Sequence, residues 1–508
     1  MTAERGTRTR RNLIANFFGR GFSAASVYLF IPLYLRFLGI EAYGIVGFYA
    51  VLQGMLAFAD IGLTATLSRE MARLSARDDS GQEMRDLLRT VETVYWMAAV
   101  CAAVIVVMGA GLLADRWLNS RTLPRESVVT AVRLMGIVLA LQLPAGLYQG
   151  GILGRERQVL ANALQVAWSL LRGAGAVLVL WLVSPTLEAF FLWQIVANAL
   201  YVVAVRHALG RVLPAAASAP RWEISLLKQV WRYAAGMTAM ALLSAALTQT
   251  DRLVVSKMLS LEQFGYYVLA ASLAQIPVIL VGPLASAVFP RFTVLAAIGD
   301  RRALSALYHR VCQMATVLVV PAGLTLGLFS HELTVLWTGS ANAARHISAV
   351  ATILGAGSTL LALQIIPYNL ALAHGWTSLN VTLSGVSVVV IVPLLIVLVR
   401  SFGLVGGGIA WLCLNAAVTP PFIYLLHRRL LPGETGRWYL ADVGRPLLAA
   451  LACVALGRWL IPPTVHGVAA VVGLGGIAVA GVGAAVLGTP GLVAFALKNP
   501  WAEEGSLD

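Results

Sequence analysis

The chain has 508 residues, of which 59% are hydrophobic and only 12% charged, far below the quarter or so typical of soluble domains, so a water-soluble globular enzyme is excluded. Lys and Arg outnumber Asp and Glu by 37 to 23, a net charge of +14. In a multi-pass membrane protein such an excess gathers in cytoplasmic loops and meets anionic lipid, so it does not indicate a nucleic-acid partner.

In chain order, the basic flank Arg5, Arg8, Arg10 and Arg11 precedes a long apolar run without a small-residue cleavage site, and reads as the cytoplasmic flank of a retained first helix. Apolar runs bounded by charges, Pro or Gly predict about fourteen spanning helices: 13–37, 42–67, 91–114, 128–153, 160–183, 186–208, 233–257, 264–289, 311–331, 346–370, 377–399, 404–426, 440–461 and 466–488. With both termini placed in the cytoplasm, 25 Lys and Arg fall on the cytoplasmic side and 9 on the opposite face. The remaining three, Arg20, Arg172 and Arg252, lie inside spans. Cys101, Cys312, Cys413 and Cys453 stand far apart in apolar runs with no metal-ligand spacing, so they read as unpaired thiols, and no metal or other cofactor is expected. Pro32, Pro144, Pro277, Pro283, Pro321, Pro367 and Pro393 interrupt spans and predict kinks, static or mobile.

An internal repeat is visible. Leu38-Gly-Ile-Glu41-Ala-Tyr43-Gly44 aligns without a gap on Leu259-Ser-Leu-Glu262-Gln-Phe264-Gly265, so that Glu41 falls on Glu262 and Gly44 on Gly265. The stretch between the copies contains an even number of spans, so the two have parallel orientation, a plan that recurs among transporters with a site between halves.

The string Leu33-Tyr-Leu-Arg-Phe-Leu38-Gly39-Ile-Glu41-Ala-Tyr43-Gly44, followed by Asp60-Ile-Gly62-Leu63 and Ser68-Arg69-Glu70-Met-Ala72, resembles the polysaccharide-transporter branch of the multidrug/oligosaccharidyl-lipid/polysaccharide (MOP) exporter superfamily, in particular its Wzx-type flippases. The resemblance implies an all-α fold with two six-helix lobes in a V around a central cationic cavity and two further C-terminal helices. On this chain those parts fall at 1–210, 211–430 and 431–508. It further implies a bacterial inner-membrane protein that moves an undecaprenyl-diphosphate-linked oligosaccharide, an O-antigen or other repeat unit, from the cytoplasmic to the periplasmic leaflet. A polysaccharide polymerase and a chain-length regulator are the partners it suggests.

Three intramembrane arginines are the candidate cations for a diphosphate, because the planar guanidinium matches phosphate and stays charged. Arg20 lies about eight residues, roughly 12 Å, from the cytoplasmic end of its helix. Asp60 falls at the same depth, so Arg20 is read either as a ligand or as half of a structural ion pair. Arg252, beside Asp251, is read as a ligand or as a side chain snorkelling to the external interface. Arg172 lies mid-span with no acid at matching depth, and shares a helix face with Gln165 and Trp168. It is the first candidate for substrate. Gln194, Asn198 and Tyr201, then Thr248 with Asp251 and Arg252, then Gln364 with Tyr368, form further polar stripes that suit sugar hydroxyls or interhelical hydrogen bonds equally. Asp60 and Asp251 are the protonatable candidates for coupling. No Walker-type phosphate loop occurs, so the energy source is a gradient or downstream removal of substrate. The rival readings are a cation-coupled drug extruder of the same superfamily and a membrane-embedded polysaccharide polymerase or glycosyltransferase. The last needs an acidic catalytic cluster, whereas the external loop from Asp115 to Glu126 holds only those two acids.

Overall fold

The computed structural model describes residues 26, 28–60, 62–75, 77, 80–215, 218–460 and 468–489. Arg20 and the N-terminal part of the first span lie outside them. Among the described residues the chain is helical throughout, with one isolated bridge between Asn119 and Ser260. In hydrocarbon every backbone N–H and C=O must find its partner within the chain, and a helix achieves this locally. Among the described residues eleven helices are long and apolar enough to cross a membrane, and two shorter apolar helices, Tyr28–Leu38 and Ile40–Leu56, accompany them. The protein is an all-α multi-pass membrane protein.

The chain divides into two compact units, Met1–Gly265 and Tyr266–Asp508. The first contains α1 (Tyr28–Leu38), α2 (Ile40–Ala59), α3 (Leu63–Leu74), α4 (Gly81–Arg116), α5 (Arg125–Gly154), α6 (Gln158–Leu182), α7 (Leu187–Val212) and α8 (Ile224–Met258). Helix α5 is its hub, packing against α3, α4 and α7 and burying Leu143, Leu147, Tyr148 and Ile152. Helix α4 changes character along its length. Its first half buries Met84, Leu87, Val91 and Tyr95, whereas its second half exposes Ile105, Met108 and Leu112, apolar side chains that suit lipid.

The expected span 42–67 is interrupted. Helix α2 ends at Ala59, Gly62 takes the left-handed conformation at φ 62°, and α3 starts at Leu63. A residue without Cβ adopts that angle without strain, so Gly62 marks a built break between α2 and α3, with the Asp60 carboxylate at the end of α2. The span predicted at 264–289 is likewise two helices, α9 (Leu261–Ala274) and α10 (Ile276–Ile298), separated at Gln275.

The two copies of the repeated motif meet. A Cβ on Gly44 would run into the carbonyl oxygen of Leu261, and a Cβ on Gly265 would run into that of Ile40. Ile40 falls on Leu261 in the alignment of the copies, as Gly44 falls on Gly265, so the contact is reciprocal under the repeat. The aromatic-Gly of each copy exists because backbone lies against backbone at that point. Glu41, in the same motif, accepts hydrogen bonds from the Arg121 amide (2.5 Å), the Thr122 amide and hydroxyl, and the Ser120 hydroxyl (3.1 Å). Asn119 in turn accepts from the Leu261 amide at 2.9 Å. The three links that leave α1, α4 and α8 are thereby tied together.

The second unit contains α10, α11 (Arg301–Leu328), α12 (Ser330–Thr338), α13 (Ala341–Ala373), α14 (Thr377–Phe402), α15 (Leu404–Leu430), α16 (Thr435–Leu460) and α17 (Val468–Leu487). Carried forward by the spacing that takes Gly44 to Gly265, α5, α6 and α7 fall on 346–375, 379–403 and 408–433, over α13, α14 and α15. Helix α13 repeats the role of α5, packing against α10, α11, α12 and α15. Helices α16 and α17 pair with each other and lie on α11, and α16 contains a π-helical stretch, Trp438–Gly444.

Candidate functional site

Helix α6 carries Arg172 about 21 Å along its axis from Gln158. The guanidinium lies over the Trp168 ring, 4.6 Å from Cζ to the centroid. The same indole meets α7, where Tyr201 stacks on it with centroids 5.0 Å apart at 24°. The Tyr201 hydroxyl lies 3.1 Å from both the Gln165 and Gln149 side-chain oxygens. Arg172, Trp168, Tyr201 and Gln165 therefore form one column built by α6 and α7. No salt bridge to Arg172 exists among the described residues, and the Trp168 Nε1–H has no hydrogen-bond acceptor among them.

Neighbouring elements fix the column. Tyr34 of α1 donates to the Gly173 carbonyl at 3.2 Å, and Trp193 of α7 donates to the Leu171 carbonyl at 3.1 Å. Ser26 and Ser169 share a hydrogen bond of 2.7 Å. These bonds flank Arg172 on both sides in sequence and hold α6 in register with α1 and α7. A second polar group lies within electrostatic reach of Arg172 at Tyr49. There Gln142 Nε2 donates to the Tyr49 hydroxyl at 2.7 Å, and Gln53 Nε2 reaches that hydroxyl at 3.0 Å and Gln142 Oε1 at 2.9 Å. Gln53 and Gln142 were not among the sequence candidates, although an amide inside an apolar helix is itself a signal.

The other candidates divide. Gln194 and Asn198 share the α7 face with Tyr201 but are buried, and Asn198 Nδ2 donates back to the Gln194 carbonyl at 2.7 Å. Their side-chain oxygens, Gln194 Oε1 and Asn198 Oδ1, have no hydrogen-bond donor among the described residues. Asp60 stands at the α2–α3 break and accepts from the Thr64 and Tyr95 hydroxyls, while those hydroxyls lie 2.8 Å apart. Its expected partner Arg20 is outside the described residues. Asp251 is buried, and the charge of its neighbour Arg252 reaches Tyr28 of α1. In the second unit Gln364 donates to Thr419 at 2.5 Å, joining α13 to α15, and Tyr368 is exposed.

Glu92, Asp86 and Asp442 are buried acids that the sequence candidates did not include. Glu92 of α4 receives Arg206 Nε at 2.7 Å from α7 and the Tyr148 hydroxyl at 2.5 Å from α5. A charge at that depth is tolerated because it is paired and hydrogen-bonded.

What the column can do follows from its shape. Trp168 occupies one face of the guanidinium, which leaves its N–H edge for an anion's oxygens. An aromatic stack edged by amide and hydroxyl groups offers flat apolar faces and hydrogen bonds together, the pairing that sugar rings require.

Comparison with known proteins adds an independent line. The family model described as polysaccharide biosynthesis protein matches residues 9–295. A Shigella flexneri protein bearing the name O-antigen transporter is 21% identical over 402 residues, 79% of this chain and 93% of its own. The succinoglycan biosynthesis transport protein ExoT of Rhizobium meliloti (strain 1021) is 23% identical over 445 residues, 85% of this chain and 82% of its own. Among solved structures, the lipid II flippase MurJ in its inward closed conformation aligns with a TM-score of 0.71 at 12% identity, over 94% of this chain and 97% of that one, a likeness of fold.

Proposed function

The chain belongs to the polysaccharide biosynthesis protein family, and from that premise we propose that this multi-pass transporter flips a polyprenyl-diphosphate-linked oligosaccharide across a bacterial inner membrane. The names of both curated relatives support a glycan as cargo. The observation that carries the lipid-linked reading is Arg172, a fixed cation in an apolar helix, stacked on Trp168 and free of any salt bridge among the described residues. A diphosphate stripped of water needs charge-assisted partners, and the guanidinium edge supplies them. Trp168, Tyr201 and Gln165 then take the adjoining sugars, and the polyprenyl tail stays in lipid. Alternating access moves the headgroup from the cytoplasmic to the external side, and the excess of Lys and Arg in the predicted cytoplasmic loops supports that orientation, with both termini inside.

The test replaces the chromosomal copy in the native host with Arg172→Ala. The expected result is an inserted protein at normal level, loss of surface polysaccharide, and lipid-linked glycan accumulating at the cytoplasmic leaflet. Undiminished surface polysaccharide overturns the assigned role.

A further inference from the structure

One face of α5 is left open by helix packing. In the second half of that helix residues 143–145, 147, 148 and 150 are buried, whereas Gln142, Gly146 and Gln149, spaced i, i+4 and i+7 along one face, stay partly exposed. Each amide on that face meets polar groups from another helix, an arrangement that suits the interior of the unit and not lipid. Gln142 joins Tyr49 and Gln53 of α2. Gln149 lies 3.1 Å from the hydroxyl of Tyr201 of α7. The two amides are about 10 Å apart along the helix axis, and Gly146 stands between them.

Glycine inside a helix is costlier than alanine, so it calls for a reason. The other four glycines of α5 have one in packing. A Cβ on Gly136 would come within 3.1 Å of Val106, one on Gly150 within 2.8 Å of Thr64, and one on Gly151 within 2.8 Å of Leu209. A Cβ on Gly154 would run into the Ser68 carbonyl oxygen. At Gly146 a Cβ meets nothing within 4 Å among the described residues. No packing partner asks for this glycine.

Hydrogen bonding around the gap is incomplete as well. Helices α5 and α7 run in the same direction, with the single returning helix α6 between them in the chain. Stepping back one and two turns from the Tyr201–Gln149 contact brings Asn198 level with Gly146 and Gln194 level with Gln142. Both side chains are more than nine-tenths buried, yet Asn198 Oδ1 and Gln194 Oε1 lack donors among the described residues. The Asn198 amide is oriented by its bond to the Gln194 carbonyl, so the oxygen is its open end. Gln53 spends its Nε2 on Tyr49 and Gln142 and keeps its oxygen unspent, and the Trp168 Nε1–H lacks an acceptor.

We propose that the space over Gly146 is a glycan slot, in which sugars beyond those on the Trp168–Tyr201 stack run across Gly146 to Tyr49, Gln53 and Gln142. A sugar hydroxyl both donates and accepts, which answers three open amide oxygens and one open N–H together. A metal cation would satisfy the oxygens alone and would lie near the charge of Arg172, and an apolar drug would satisfy none of them. The missing side chain of Gly146 is then the room for the second sugar, which makes this residue specificity-determining. The slot rests on the transport reading and extends it: the cargo carries an oligosaccharide, not a single sugar.

The test fills the slot without touching a polar group. Gly146→Ala, Gly146→Leu and Gly146→Trp are compared with wild type in nanodiscs at fixed salt, by equilibrium binding of a polyprenyl-diphosphate oligosaccharide and of the glycan-free polyprenyl diphosphate, with thermal unfolding alongside. Affinity for the glycan-bearing ligand should fall in order of side-chain size, by about tenfold or more for Trp, since a displaced glycan forfeits hydrogen bonds at both ends of the slot. Affinity for the glycan-free ligand should hold in all three, and Gly146→Ala should melt no lower than wild type. If Trp prevents insertion, Leu gives the reading. Unchanged glycan affinity in Gly146→Leu and Gly146→Trp, the result for a gap that holds water only, overturns the slot, and so does an equal loss of both ligands. A wild type that binds neither ligand overturns the transport reading, and the slot with it.

Discussion

Replacing Arg172 by Lys separates charge from shape. Lys retains a cation on a flexible stem but loses the flat face on Trp168, 4.6 Å from the present guanidinium, and the two-pronged edge that faces a diphosphate. Losing one prong removes a hydrogen bond to a charged group, about 1.5–3 kcal/mol. At about 1.4 kcal/mol per tenfold, that is about 10- to 150-fold weaker binding. Arg172→Gln removes the charge too and falls further. The assay is equilibrium binding of a polyprenyl-diphosphate glycan to the purified protein in nanodiscs at fixed salt, with the glycan-free polyprenyl diphosphate in parallel. If the guanidinium holds the diphosphate, both ligands lose the same factor. Unchanged affinity in both variants, or a loss confined to the glycan-bearing ligand, would refute the assignment of the diphosphate to Arg172.

Two further outcomes follow from packing. Gly44→Ala and Gly265→Ala each drive a methyl into a backbone carbonyl that cannot swing aside, so each should destabilise by about 1–3 kcal/mol. Because both methyls push the same two segments apart, the double variant should cost less than the two singles together; thermal unfolding in detergent reads this, and strict additivity would contradict it. Tyr95→Phe strips Asp60 of one of its two hydroxyl donors, with an expected loss of about 1–3 kcal/mol. An unshifted melting midpoint would mean that the carboxylate is not held by that bond.

The spans were legible because hydrocarbon imposes about twenty consecutive apolar residues, a constraint that local composition records directly. Interruptions within them were not: Asp60-Ile-Gly62 reads as one helix until Gly62 takes a left-handed angle, and the π stretch around Asp442 leaves no mark in hydropathy. The same contrast runs through the candidate site. Trp168 and Arg172 are one helical turn apart, so periodicity brings them together. Tyr201 joins them from another helix, and its association with Trp168 rather than with Gln194 and Asn198 is decided by how α6 meets α7. His309 and Asp442, far apart in the chain, are invisible as a pair until the second unit is folded.

The reciprocal contact of Gly44 with Leu261 and of Gly265 with Ile40 has a consequence for biosynthesis. The ribosome delivers α1 to α8 before residue 261 exists, and domains emerge N-terminal first. Throughout that interval the surface at Gly44 faces no partner, and the Asn119 carbonyl lacks its Leu261 donor. A nascent chain halted after Met258 would therefore hold nearly all of its first half in the bilayer and still carry an unfinished joint. The second copy of the motif is thus also the last piece of the first half to arrive.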